Sequence, residues 1–111
     1  IDNMEGKALC KRALQSEFGL PLRDVPLIGF VGRLVNQKGI DVISEALPAI
    51  LSTDVQFVLL GSGEPWAERA FSQIAAQNRF RCGVKIAYSE ALSHRIEAGS
   101  DFFLMPSHFE P

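Results

Sequence analysis

Two cations, Arg33 and Lys38, stand five positions apart in the run Gly32-Arg33-Leu34-Val35-Asn36-Gln37-Lys38-Gly39, just ahead of a segment with helical spacing. Paired cations beside the free amides of a helix amino end suit a diphosphate. The same residues also read as a solvated basic loop. The run is not a Walker loop, because G-x-x-x-x-G-K-[ST] is absent. Gly61-Ser62-Gly63 permits a ligand to approach the backbone closely, or simply turns a strand into a helix. Tyr88, the single tyrosine, can stack on a base or pack on a rim with its hydroxyl in water. Glu110, between Phe109 and Pro111, can bind sugar hydroxyls or stabilise developing positive charge; otherwise it is an exposed side chain. His94 sits beside Arg95 and Glu97 on what reads as a solvated helix face, and His108 is a ligand contact by position only. These residues assemble neither a metal cluster nor a Ser-His-Asp arrangement.

The elements around these residues explain why they converge. Four short apolar runs, at 27–31, 55–60, 84–88 and 102–105, have the two-faced hydrophobicity of covered parallel strands. Ile40, Ile43, Leu47, Ile50 and Leu51 recur at helical spacing between the first two, and Trp66, Ala70, Phe71, Ile74 and Ala75 between the next two. Pro65 suits a first helical turn, and Ser89 can cap a third helix carrying Leu92 and Ile96 and ending near Gly99. Pro48 predicts a kink or an early end in its helix. A further helix precedes the first strand, with Leu9 and Ala13 and the series Cys10, Leu14, Phe18 at i, i+4, and Gly19 as its stop. Alternation of this kind gives an α/β fold with a parallel, Rossmann-like sheet. Ligands of such sheets bind beyond the carboxyl ends of the strands, where Arg33, Lys38, Gly61, Tyr88 and Glu110 all fall. A phosphorylated ligand with an aromatic base and a polar group suits that set.

Composition narrows the classes. The 111 residues are 47% hydrophobic and 22% charged, with net charge -2, which excludes a disordered chain. No apolar run approaches the roughly 18 residues of a membrane span. Acidic residues outnumber basic ones, 13 to 11, so nucleic-acid binding by bulk charge is not expected. Cys10 and Cys82 have no C-x-x-C partner and fit a reducing, intracellular compartment. The first residues carry no secretory signal, and the chain, which lacks an initial Met and stops at Glu110-Pro111, reads as a piece of a longer protein.

Several motifs together closely resemble bacterial glycogen synthase and plant starch synthase. They are Lys7-Ala8-Leu9 with residues 11–14, Gly19-Leu20-Pro21, and Gly29-Phe30-Val31-Gly32-Arg33-Leu34 with Gln37-Lys38-Gly39. The likeness continues in residues 55–63, in His94-Arg95-Ile96 with Ala98-Gly99-Ser100-Asp101, and in Pro106-Ser107 with Phe109-Glu110-Pro111. The resemblance covers residues 7–111. It implies that residues 1–111 are part of the carboxyl-terminal, nucleotide-sugar-binding domain of a GT-B glycosyltransferase. The amino-terminal acceptor domain and the end of this domain would lie elsewhere. The reaction implied is transfer of glucose from ADP-glucose to the non-reducing end of an α-1,4-glucan, with retention. By motif match, Arg33 and Lys38 would hold the diphosphate and stabilise the leaving group. Gly61, Ser62 and Gly63 would border the donor nucleotide, Tyr88 would stack on adenine, and Glu110 would be the first glutamate of an E-x7-E pair. The resemblance implies no metal and no cofactor beyond the substrate, no nucleic-acid or membrane partner, and a bacterial cytoplasm in preference to a plastid. Alternatives are another retaining GT-B transferase and a non-catalytic nucleotide-binding module; a piece alone is expected to be inactive. The second glutamate falls beyond Pro111, and His108 stands where relatives commonly have Arg.

Overall fold

Residues 3–35 and 40–104 are described in the structure, a computed structural model. Lys38, His108 and Glu110 lie outside these residues. The first helix, α1 (Asn3–Glu17), ends as predicted at Gly19, whose φ is 72°. Its amide donates to the Ser16 carbonyl at 3.1 Å and that of Leu20 to Gln15 at 2.8 Å. Those two bonds are the Schellman stop, and Leu20 is buried beneath it.

The alternation predicted from the sequence follows: β1 (Leu27–Leu34), α2 (Ile40–Leu51), β2 (Gln56–Gly63), α3 (Pro65–Gln77), β3 (Cys82–Ile86), α4 (Glu90–Gly99) and β4 (Phe102–Leu104). Pro65 opens α3, and the Ser89 hydroxyl caps α4 by accepting from the Leu92 amide at 3.1 Å. Pro48 does not end α2, which continues to Leu51. Proline costs the helix its bond to the Ser44 carbonyl, and its exposed position leaves that side of the helix in water.

All strand pairs are parallel, in the order β3-β2-β1-β4. The chain therefore steps outward from β1 to β3 and then returns across the sheet to lay β4 beside β1. Alternate residues of the central strands feed two cores. Phe30, Leu34, Phe57 and Leu59 pack with Ile40, Leu47 and Leu51 of α2 and with Ala67 and Phe71 of α3. Leu27, Val31, Val58 and Leu60 pack with Leu14 of α1 and with Leu92 and Ile96 of α4. Helices thus cover both faces of the sheet, as a two-faced apolar pattern requires.

Three expectations need correcting. Leu9 is 57% exposed and Cys10 is exposed, although both share the i, i+4 apolar spacing of α1. At the close crossing of α1 and α4 a Cβ at Gly99 would lie 2.8 Å from the Cys10 carbonyl oxygen, so backbone meets glycine there, and α1 turns Lys7 and Lys11 toward Ser100 and Asp101. The strands also run differently from the apolar runs. β1 and β2 extend through Arg33 and Gly61-Ser62-Gly63, and β3 ends two residues before Tyr88. Finally, β4 is not covered on two faces, since Phe102 is 61% exposed at a three-residue strand paired on one side among the described residues.

Candidate functional site

The carboxyl ends of β1 and β2 and the segment after β3 meet the amino end of α4 around a cleft of about 240 Å³. Parallel register builds it: Gly32 lies opposite Gly61, and Arg33 opposite Ser62. Val31 and Leu60, on the face shared with α4, supply apolar lining. Ala87 continues the ladder beyond β3 by donating to the Gly61 carbonyl at 3.1 Å. That bond carries the chain over the end of β2 and delivers Tyr88, 82% exposed, to the cleft wall. Ser89 then starts α4, so Glu90 and Ser93 of its first turns complete the lining.

The structure thus gathers Arg33, Gly61, Ser62 and Tyr88 at one cleft. Gly63 is not among its lining residues. It lies opposite Leu34, where a Cβ would come within 2.1 Å of the Leu34 carbonyl oxygen. Gly61 has a comparable restriction: a Cβ there would be 2.2 Å from the Gly32 carbonyl oxygen. Both glycines are thereby required for strand approach, and Gly61 in addition borders the cleft. His94 lies on the exposed face of α4, its Nε2 3.8 Å from a Glu90 carboxylate oxygen, which agrees with the reading of a solvated face. Glu90 lies where the residues after the third apolar run open on the ligand edge, and Ser93 is the further lining residue that spacing did not single out. The signal was the Ser89 cap, which places the first turns of α4 at the carboxyl edge of the sheet.

Chemically, the cleft offers one guanidinium on a rigid strand end, a hydroxyl opposite it, an aromatic ring on the rim and a carboxylate at a helix start. Among the described residues Arg33 has no ion pair. A guanidinium recognises phosphate oxygens through its planar fork of donors. The apolar floor and exposed ring give a flat base a surface on which to stack.

Residues 25–111 match the family described as glycosyl transferases group 1. The chain is 57% identical over 110 residues to glycogen synthase 1 of Geobacter sulfurreducens, covering 98% of this chain and 22% of that protein. It is 58% identical over 109 residues to a glycogen synthase of Anaeromyxobacter dehalogenans, covering 97% and 23%. Against starch synthase 2, chloroplastic/amyloplastic, of Arabidopsis thaliana, identity is 53% over 113 residues, covering 100% and 14%. The structure is similar, with TM-score 0.83 and 40% identity, to the catalytic domain of starch synthase IV from Arabidopsis thaliana bound to ADP and acarbose, covering 100% of this chain and 24% of that one. The chain accordingly spans less than a quarter of the length of these relatives. The α/β, Rossmann-like expectation is borne out by the parallel sheet and by this structural match.

Proposed function

We propose, because this chain belongs to the group 1 glycosyl transferases, that it forms the nucleotide-sugar-binding part of an ADP-glucose-dependent glycogen or starch synthase. The observation that carries the proposal is the cleft itself. Arg33, Ser62 and Tyr88 converge at the carboxyl edge of a parallel sheet, in a chain similar to a starch synthase catalytic domain bound to ADP. In this reading Arg33 and Lys38 hold the diphosphate and neutralise the charge that builds on the departing ADP. Tyr88 stacks on adenine, with Gly61 and Ser62 beneath the nucleotide and Gly63 holding the strand end beside it. Glu110 lies by the donor glucose and favours the cationic character of the reacting sugar. The whole enzyme would transfer glucose, with retention, to the non-reducing end of an α-1,4-glucan. The two cations would supply positive charge at the diphosphate, and no cofactor beyond ADP-glucose is invoked.

These 111 residues are proposed to bind nucleotide without transferring glucose, since the chemistry needs a second wall to place the acceptor and exclude water. The proposed partners are ADP-glucose or ADP and, for the whole enzyme, a glucan. No helix among the described residues is long and apolar enough to cross a membrane. Bacterial cytoplasm is the proposed compartment, in keeping with the bacterial glycogen synthases among its relatives. Calorimetric titration with ADP, UDP and GDP tests the proposal. Preferential ADP binding, abolished or strongly weakened in Arg33→Ala, is the expected result. Equal or better binding of UDP or GDP points to a different GT-B transferase. Robust glucan labelling from ADP-glucose by the chain alone would refute the division of labour.

A further inference from the structure

Outside the cleft lining, one carboxylate is bonded to the strand end that carries the site. Glu68 lies in the first turn of α3, and its Oε2 accepts a hydrogen bond from the Gly63 amide at 2.9 Å. The next amide, that of Glu64, donates to the Leu34 carbonyl at 2.7 Å. Leu34 lies opposite Gly63, and Arg33 opposite Ser62. The last two rungs of the β1–β2 ladder are therefore tied, through Gly63, to the helix that follows. We propose that Glu68 is a positioning residue for the nucleotide cleft, acting through Gly63 to hold Arg33 and Ser62 in place.

The chemistry of the turn supports this role. An ionised acceptor makes a stronger bond to an amide than a neutral one, and an acidic residue is favoured in a first helical turn. Gly63 is pressed against Leu34 so closely that no side chain fits between them, so a loosened turn would shift both strand ends together. With Glu68 on its amide, Gly63 has no N–H left for a phosphate. Gly63 consequently serves the site as a braced strand end, and Arg33 is the group that meets the anion. A site held to within roughly half an ångström by such supports keeps its affinity, and one left loose does not.

The inference rests on the nucleotide reading of the cleft, and two readouts keep them separate. Amide hydrogen exchange at Gly63, followed by NMR, reports the clamp without any ligand. Calorimetric titration of ADP reports its consequence. Glu68→Ala is expected to speed Gly63 exchange about tenfold or more and to weaken ADP about three- to tenfold. Glu68→Gln, whose side-chain oxygen still accepts, is expected to restore most of both. Unchanged Gly63 exchange in Glu68→Ala overturns the clamp. Accelerated exchange with wild-type ADP affinity and only a lower melting temperature reduces Glu68 to a structural residue and overturns its positioning role. Wild-type protein that binds no ADP overturns the nucleotide reading, and with it the positioning role, while Gly63 exchange still decides the clamp.

Discussion

The side-chain amide of Gln15 donates to that of Gln56 at 2.7 Å, across 41 residues of sequence, and both side chains are buried. Gln15 also donates to the Arg23 carbonyl at 3.0 Å, and Gln56 to those of Pro21 and Phe80 at 3.0 and 3.3 Å. Two amides thus fasten α1, the connection into β1, the start of β2 and the approach to β3. They do so at the edge of the sheet opposite the cleft, where the strands begin.

Removing one partner strands the other in the interior. Gln56→Leu is expected to cost about 2–4 kcal/mol, because Gln15 and two backbone carbonyls lose a buried partner. The double variant Gln15→Leu/Gln56→Leu is expected to cost less than the sum of the single ones. Urea unfolding of the three variants checks this; strict additivity would show that the pair is not coupled.

Asp101 joins the start of β1 to α1, accepting from the Leu27 amide at 2.8 Å and pairing with Lys11 at 2.8 Å. Partial burial pushes its carboxyl upward, but the bonds from Lys11 and Leu27 and the charges of Lys11 and Lys7 outweigh this and leave it below the ordinary 3.8. A lowered folded value means that the stabilisation is present above the unfolded value and is lost as the pH falls through the folded one. Asp101→Asn is therefore expected to melt lower than wild type from about pH 5 upward, with the gap narrowing on acidification below 3.8. Glu17 follows the same sign, since its hydrogen bonds from Arg95, at 2.7 and 3.0 Å, hold it low. Thermal melts from pH 3 to pH 7 test both; a gap that widens with acid would contradict the assignment.

Cys82 is buried in the core beneath α2 and α3, and burial pushes its thiol up to about 12. Cys10 is exposed on α1. One thiol per native chain is expected to react readily with a soluble disulfide reagent at neutral pH, and the second only after denaturation. Two fast thiols in the folded protein would mean that the core around Cys82 opens easily.

Arg33→Ala is expected to weaken ADP about ten- to a hundredfold, the worth of one or two charge-assisted bonds to phosphate. The side chain is exposed, so unfolding free energy should change by no more than about 0.5 kcal/mol. Titration beside denaturant unfolding separates the two effects. Wild-type affinity in the variant would return Arg33 to a solvated strand end.

Much of the framework was legible because its signals are local. Gly19, Pro65 and Ser89 mark helix boundaries through chemistry confined to one turn, and each holds its predicted place. Arg33, Gly61, Ser62 and Tyr88 were gathered from sequence because each follows an apolar run, and parallel strands put all such endings on one edge. Lys38 and Glu110 fall outside the described residues. The positions misread are those governed by a distant partner. Gly61-Ser62-Gly63 reads as a turn, yet its backbone pairs with Gly32, Arg33 and Leu34. Leu9 has the spacing of a core residue, but α1 turns its Lys7 and Lys11 toward Ser100 and Asp101 instead.

The sequence by itself determined the order of helices and strands, the stop of α1 at Gly19, the starts of α3 and α4 and the chemical set at the carboxyl edge, because periodicity, caps and residue type act over a few positions. Only the tertiary structure decided that β4 lies against β1, that Gln15 meets Gln56, and that Glu68 ties down Gly63. Strand order and register arise from hydrogen bonds formed after the chain has crossed the sheet, and no short window of sequence contains both partners. Arg33 shows the division: its charge was readable from its letter, and its place opposite Ser62 exists only in the paired strands.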